Sequence, residues 1–337
     1  MRNRAHEPVY RPVLREAFTI AWREKRLWLF GVFAGILLTG SIADVVWKKV
    51  NIFGDQGSVI KALFPFWSQA MNTWSHFSLT DLVIGSLNAF LVTAFFLVVA
   101  FAIFGASVIS QGTIVYTIGS TKNPSKTDLR KTLAVGAKAL WPILVLNLLV
   151  IATLLATRSV IAIALAYLMS VSTIFAYFLF IFSFVVFTLL AIVATIIEIF
   201  ALNAMMLQGA TLAQGLERGY EILRKHWIVI AEIAGLLFLI SVGLYVLMVI
   251  SGLIIAIPFG ILLIVSALLK SGLLFACVSL FFVFAFILAV LAIFGFNVLL
   301  QYATWTIVFK KFGEGGVLPK IHRITRSWLH RTRVPGA

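Results

Sequence analysis

Long apolar segments, each fenced by positive charge on one side only, constrain this chain more than any other feature. Of its 337 residues 62% are hydrophobic and 12% charged. An ordinary globular domain is about half apolar and about a quarter charged. A soluble fold of this length has nowhere to put the excess, whereas a lipid bilayer does. The chain reads as a polytopic membrane protein.

The net charge of +15 would raise the question of nucleic acid in a soluble protein. Here the basic residues gather at the ends of apolar segments, and neither a basic soluble domain nor a recognition motif accompanies them. An anionic membrane surface is the simpler partner, and nucleic acid is not expected. The single cysteine, Cys277, lies in an apolar run, which excludes an intrachain disulfide and a cysteine-based metal site. The apolar run after the charged N-terminus lacks a small-residue cleavage site, so no removable signal peptide is expected.

A hydrocarbon core takes about 20 helical residues to cross. The first candidate crossing is Leu27–Trp47. The second starts after Asp81 and stays apolar to about Gly119. Sequence from Leu140 to Met206 suits two crossings, with a turn between Arg158 and Thr173. Trp227 to Phe309 holds two more, with Pro258 and Gly260 predicted to mark the turn. Counting Lys and Arg supports this number, because these residues favour the cytoplasmic side. With both termini inside, 22 of the 27 basic residues fall on inner segments. Only Lys48, Lys49, Lys61, Arg158 and Lys270 fall outside. Seven crossings would export Arg218, Arg224, Lys225 and the basic tail.

Three segments share a plan in which an amphipathic helix and an interfacial tryptophan precede a crossing. Arg11–Trp28 carries Val13, Leu14, Ala17, Phe18, Ala21 and Trp22 on one face. Asp128–Trp141 carries Leu129, Leu133, Ala137, Leu140 and Trp141. Thr211–Trp227 carries Leu212, Leu216, Tyr220, Leu223 and Trp227. Spacing by threes and fours aligns each set, with charge opposite. Such helices lie in the headgroup plane, basic face toward anionic lipid. Arg15, Arg23, Arg26, Lys131 and Arg224 are the expected headgroup contacts. In the basic tail, 313–337, Arg323 and Arg326 join them. The returning helices also resemble one another: Gln111-Gly112 and Gln208-Gly209 sit near their ends, with Gln301 at the matching place in the last. Each returning segment is too long for a ~30 Å core, so bends are expected at Gly112 and Gly209. Gly31, Gly35 and Gly105 are expected to allow close helix approach.

Charged side chains within a bilayer are costly, and each needs its own account. Glu198 lies among Ile196, Ile197, Ile199 and Phe200, well inside a predicted crossing. Glu232 lies five residues past Trp227. Together they could form a proton or cation relay. Alternatively, Glu198 is protonated or bonded to a neighbouring helix and Glu232 reaches the interface beside Arg224 or Lys225. Asn203, Asn297 and Gln301 could line a polar cavity or bond across helices; Asn147 carries less information. The aromatic outer loop Val50–Thr80 reads as an interfacial belt, with a lid or partner surface as the alternative. Enzyme motifs are absent: the five histidines have no paired spacing for zinc, and Gly313-Glu-Gly-Gly316 reads as a hinge rather than a phosphate loop. No catalytic residue, metal or cofactor is assigned.

Ala17-Phe-Thr-Ile-Ala-Trp22 with Leu27-Trp-Leu-Phe-Gly31, and Leu216-Glu-Arg-Gly-Tyr-Glu-Ile-Leu-Arg224 with His226-Trp227, carry a resemblance. They resemble the membrane-domain family associated with glycerophosphoryl diester phosphodiesterases, and related bacterial six-helix membrane proteins. The resemblance spans most of the chain as a pattern, on short motifs. In that family the membrane part does not carry the phosphodiester chemistry, so the resemblance implies topology, and a bacterial plasma membrane, rather than an activity.

The expected fold is therefore all-α: a six-helix transmembrane domain over 1–312, built as three helical hairpins. A cytoplasmic interfacial helix precedes each hairpin, the first over 11–26, and both termini are cytoplasmic. Three functions fit. The first is a non-enzymatic protein organising or binding lipid or partner membrane proteins, homo-oligomers included. The second is a transporter or channel for a small or lipid-like substrate, using Glu198. The third is an intramembrane enzyme acting on lipid.

Overall fold

The computed structural model describes residues 10–36, 86–120, 128–171 and 173–313. Among them are eight helices and no strand: α1 (Tyr10–Arg23), α2 (Arg26–Ile36), α3 (Ser86–Ser120), α4 (Leu129–Lys138), α5 (Leu140–Val171), α6 (Thr173–Gln208), α7 (Leu212–Leu268) and α8 (Gly272–Gly313). Five of these, α3 and α5 to α8, are long and apolar enough to cross a membrane, as befits a membrane protein. The predicted first crossing begins as α2. Its remainder (37–47), the aromatic outer loop and the tail with Arg323 and Arg326 lie outside the described residues.

Each amphipathic segment is a short helix broken from an apolar one, and each break has a local cause. After α1 the chain turns at Glu24-Lys25, where the Leu27 N–H donates to the Glu24 carbonyl at 2.9 Å. The Trp28 indole N–H donates to the Ala21 carbonyl at 2.7 Å and pins the angle. Between α4 and α5, Pro142 has no N–H to offer the Lys138 carbonyl, yet it is tolerated in the first turn of a new helix. In α7 the break is His226, with φ −125° and ψ 24°. Polar caps start two of the amphipathic helices. Asp128 accepts from the Arg130 N–H at 3.1 Å, and Thr211 forms a reciprocal capping box with Gln214.

The last turn is not where the sequence suggested. Helix α7 runs through Pro258 and Gly260, and the chain reverses at Lys270. Lys270 adopts a left-handed φ of 51°. Its N–H bonds to the Ala267 carbonyl at 3.0 Å and the Ser271 N–H to the Ser266 carbonyl at 3.2 Å, which is a Schellman ending. Proline is a poor stop signal in an apolar helix, where neighbouring groups re-satisfy the freed carbonyl. Arg158 is likewise not at a turn. Helix α5 continues to Val171, leaving Arg158 about 20 Å short of its end at 1.5 Å per residue.

Packing divides each returning helix in two. On α6 the last exposed large apolar side chain is Val193, and on α8 it is Leu291. Thr173 to Val193 and Gly272 to Leu291 each span about 30 Å, the thickness of a hydrocarbon core. Beyond those points the inner sections of α3, α6 and α8 contact one another and are enclosed. Trp305, Tyr302, Phe200, Ile114 and Leu202 are among their fully buried side chains. Phe200 packs edge-on against Trp305 at 5.7 Å. The extra length of the returning helices is thus used in a packed inner core. No bend at Gly112 is needed: it lies within continuous α3, where an added Cβ would meet Ile143 Cδ1 at 2.8 Å. Gly209 does turn the chain, at φ +68°.

The amphipathic helices ring this core. Helix α1 packs on α8, α4 on α3, and α7 on α6. They dock through part of the predicted apolar stripes, with Val13 buried and Leu14, Leu129, Leu140, Leu212, Leu216 and Leu223 packed against the core, and small residues make the closest approaches. On α1 these are Ala17 and Ala21, both fully buried. A Cβ on Gly136 of α4 would meet the Ile109 carbonyl oxygen of α3 at 2.7 Å. One on Gly219 of α7 would meet the Ile197 carbonyl oxygen of α6 at 2.7 Å. Other members of the predicted stripes stay exposed: Phe18, Trp22, Leu133, Trp141, Tyr220 and Trp227. Helix α2 meets α8 still more closely, where a Cβ on Gly31 would fall on the Gly295 carbonyl oxygen. Gly35 faces Phe294 and Val298, but Gly105 has nothing within 4 Å and serves no close approach.

Candidate functional site

The polar side chains of the inner core form separate groups. Gln111 on α3 and Asn147 on α5 bond reciprocally: the Asn147 amide donates to Gln111 Oε1 at 3.0 Å and the Gln111 amide to Asn147 Oδ1 at 3.3 Å. On the other side, the Ser241 hydroxyl of α7 donates to Asn297 Oδ1 at 2.9 Å and accepts from the Gln301 amide at 2.7 Å. All five residues are buried. Each group ties two long apolar helices together, the packing role that amides between helices commonly play. Gln111 on α3 thus bonds to α5, and Gln301 on α8 bonds to α7. Gln208 does not join them, because it is the last residue of α6 and exposed. Asn147 and Ser241 were not legible as partners, since a lone Asn or Ser in an apolar run gives no sign of what it faces.

Asn203 sits apart from both groups. Its amide donates to the Ile199 carbonyl one turn back at 2.7 Å, and Oδ1 has no protein partner. Glu198 is 2% exposed with neither carboxylate oxygen hydrogen-bonded to protein. It lies five residues past Val193, in the enclosed section of α6. Gly219 of α7 packs over the flanking Ile197 and Ala201, so Glu198 is level with an amphipathic helix whose charged residues are exposed. Glu232 is not brought to Glu198 by any described contact. It is partly exposed on α7, with one carboxylate oxygen buried and unpartnered.

The basic residues expected at headgroups have the required exposure. Arg15, Arg23 and Arg26 on the first segment, Lys131 on α4 and Arg224 on α7 are all exposed. Exposed aromatic rings adjoin them at Phe18, Trp22, Trp141 and Trp227.

A cavity of about 100 Å³ lies among the inner ends of α6 and α8 and the amphipathic part of α7. Gln208, Arg218, Lys225, His226 and Phe312 line it. His226 stacks on Phe312 with ring centroids 4.4 Å apart, and Arg218 pairs with Glu221 at 3.2 Å. Helices α6 and α8 both end here, and cations favour helix C-termini, so Arg218 and Lys225 need no ligand to explain them. Lys310 does the same for α3, donating to the Gly119 carbonyl at 2.9 Å. A second, shallow cleft is lined by Trp227, Ile228, Ala231 and Glu232. Glu198 lines neither cavity. Among the described residues no group of three or more His, Cys, Asp or Glu side chains could hold a metal ion. No family model, curated protein or solved structure matches the chain.

Proposed function

We propose that the chain crosses a bacterial plasma membrane six times, as three helical hairpins with both termini in the cytoplasm. Its function is non-enzymatic: it organises or binds anionic lipid or partner membrane proteins through a ring of interfacial helices. The exposed rim carries this reading. Three amphipathic helices pack small and apolar residues on the core and leave tryptophans and arginines exposed, the composition that favours headgroup depth. Apolar exposure over about 30 Å on the returning helices supports the hairpin arrangement, because it matches one hydrocarbon thickness. The kinship with the phosphodiesterase-associated membrane family is part of the same proposal. Glu198, buried without a protein partner, is the one observation that favours the transport alternative. On this reading its level beside Gly219 puts it near the headgroups rather than at mid-bilayer, and Gln111, Asn147, Ser241, Asn297 and Gln301 bond between helices.

Lipid that co-purifies with the protein tests the reading. Mass spectrometry of the wild type is expected to find anionic phospholipid enriched over the host membrane. Replacing Arg15, Arg23, Lys131 and Arg224 with glutamine should remove the enrichment while thermal unfolding stays unchanged. Each basic residue near an anionic surface contributes about 1 kcal/mol, so the four together should change retention by more than about tenfold. A wild type whose bound lipid mirrors the bulk membrane would sink the proposal.

A further inference from the structure

The Trp227–Glu232 cleft is chemically unlike the basic rim around it. It is a shallow depression of about 380 Å³, lined on one face of α7 by Trp227, Ile228, Ala231 and Glu232. Trp227 is 61% exposed and begins the apolar part of the helix, next to the His226 break. Ala231 is exposed as well, and one turn further on a Cβ added to Gly235 would meet nothing within 4 Å. The face is thus an open strip with a small-residue floor, headed by one aromatic ring and one carboxyl group.

Glu232 is the anomaly there. It faces an apolar surface, one of its oxygens is buried without a protein partner, and it joins no ion pair among the described residues. Helix geometry directs its side chain toward the N-terminal end of the helix, that is, toward Trp227 and the headgroup plane. The carboxylate and the indole line the same cleft. A carboxylate beside an exposed indole is the pairing that recognises an ammonium group, by a charge-assisted hydrogen bond and a cation–π contact.

We infer that this cleft binds an amine-bearing phospholipid. The headgroup ammonium meets Glu232 and the Trp227 ring, and one acyl chain lies along the strip past Ala231 and Gly235. The inference rests on the lipid-binding reading and narrows it, since it assigns one site on the rim to a zwitterionic rather than an anionic lipid. Charge complementarity selects this occupant, because an anionic headgroup would be repelled by Glu232 and a purely apolar chain would leave it unpaired.

The full-length protein in detergent, titrated with phosphatidylethanolamine and phosphatidylglycerol and read by native mass spectrometry, tests it. The wild type should retain one phosphatidylethanolamine that excess phosphatidylglycerol, held at the basic rim, does not displace. Glu232→Gln should lower that retention about tenfold, the effect of losing one charge-assisted hydrogen bond. Glu232→Lys should shift the preference of this site to phosphatidylglycerol. Trp227→Leu, which leaves the carboxylate in place, should weaken phosphatidylethanolamine binding without reversing that preference. Retention of anionic lipid by the four-arginine-and-lysine rim should be unchanged in Glu232→Gln, so failure of this site is distinguishable from failure of the rim. Equal retention of phosphatidylethanolamine by wild type and Glu232→Gln would overturn the inference. So would a concentration-dependent dimer abolished by Glu232→Gln with lipid binding unaltered, which would assign the cleft to a second copy of the chain.

Discussion

Gly295→Leu is expected to prevent assembly of the bundle, while Gly105→Ala on α3 leaves it intact. A Cβ at Gly295 would fall on the Trp28 carbonyl oxygen, and the reciprocal Cβ at Gly31 would fall on the Gly295 carbonyl oxygen. Both obstacles are backbone atoms of packed helices, so no side chain can rotate away. Overpacking where side chains can yield costs about 1–3 kcal/mol. This contact must separate α2 from α8, and with it the reciprocal approach at Gly31, so the loss should exceed about 3 kcal/mol. Helix α8 also contacts α1, α3, α6 and α7, so displacing it affects the whole inner core. Gly105 has open space around it, and replacing a helical glycine with alanine there should be neutral or stabilising by up to about 1 kcal/mol. Size-exclusion profiles and thermal unfolding in detergent measure both. A monodisperse Gly295→Leu protein with wild-type unfolding would show that α2 and α8 do not meet in this way.

Gly219→Leu should undock the amphipathic part of α7 without dissolving the crossings. The residue sits over the Ile197 carbonyl oxygen at 2.7 Å and the Ala201 nitrogen at 3.3 Å from an added Cβ. A leucine there lifts the helix off Ile197 and Ala201 of α6. The His226 break lets this happen, because a continuous helix would transmit the displacement into the membrane section, whereas a hinge absorbs it. Limited proteolysis should cut within 212–226 many times faster than in the wild type, with far-ultraviolet circular dichroism nearly unchanged. Gly136→Leu should act alike on α4, where the obstacles are Ile109 and Thr113 of α3. Unaltered proteolysis in both variants would mean that lipid, not small-residue packing, holds these helices.

Much of the fold was legible because charge and hydropathy alternate on the scale of whole helices. The breaks before Leu27, Leu140 and Trp227 fall where a basic amphipathic run meets tryptophan and apolar sequence, and the turn between α5 and α6 falls in its expected window. The docking faces were legible in part: Val13, Leu14, Ala17, Ala21, Leu212, Leu216 and Leu223, all on predicted stripes, lie buried or half-buried against the core. Gly136 and Gly219 contribute almost nothing to an apolar stripe, yet they are what allows backbone contact. Of the large residues that draw the eye, Tyr220 and Trp141 stay exposed, whereas Trp22 packs edge-to-face with Phe296 of α8. The turn at Lys270 was hidden because lysine rarely takes a left-handed conformation, while Pro258 was an obvious but false stop. The depth assigned to Glu198 came from counting along an apolar run. Only the packing reveals that the run continues past its exposed section into an enclosed one. For the same reason Asn297 and Gln301 could be placed near one another in sequence, but not on Ser241.

One measurement bears most directly on the account: accessibility of single cysteines, in a Cys277→Ser background, to a membrane-impermeant maleimide in intact cells and inverted vesicles. Cysteines replacing Lys131 and Arg224 should label only from the inner face, and one replacing Lys270 only from the outer face. Labelling of positions 131 and 224 from opposite faces, or of 224 and 270 from the same face, would contradict a single inner ring of interfacial helices and the hairpins built upon it.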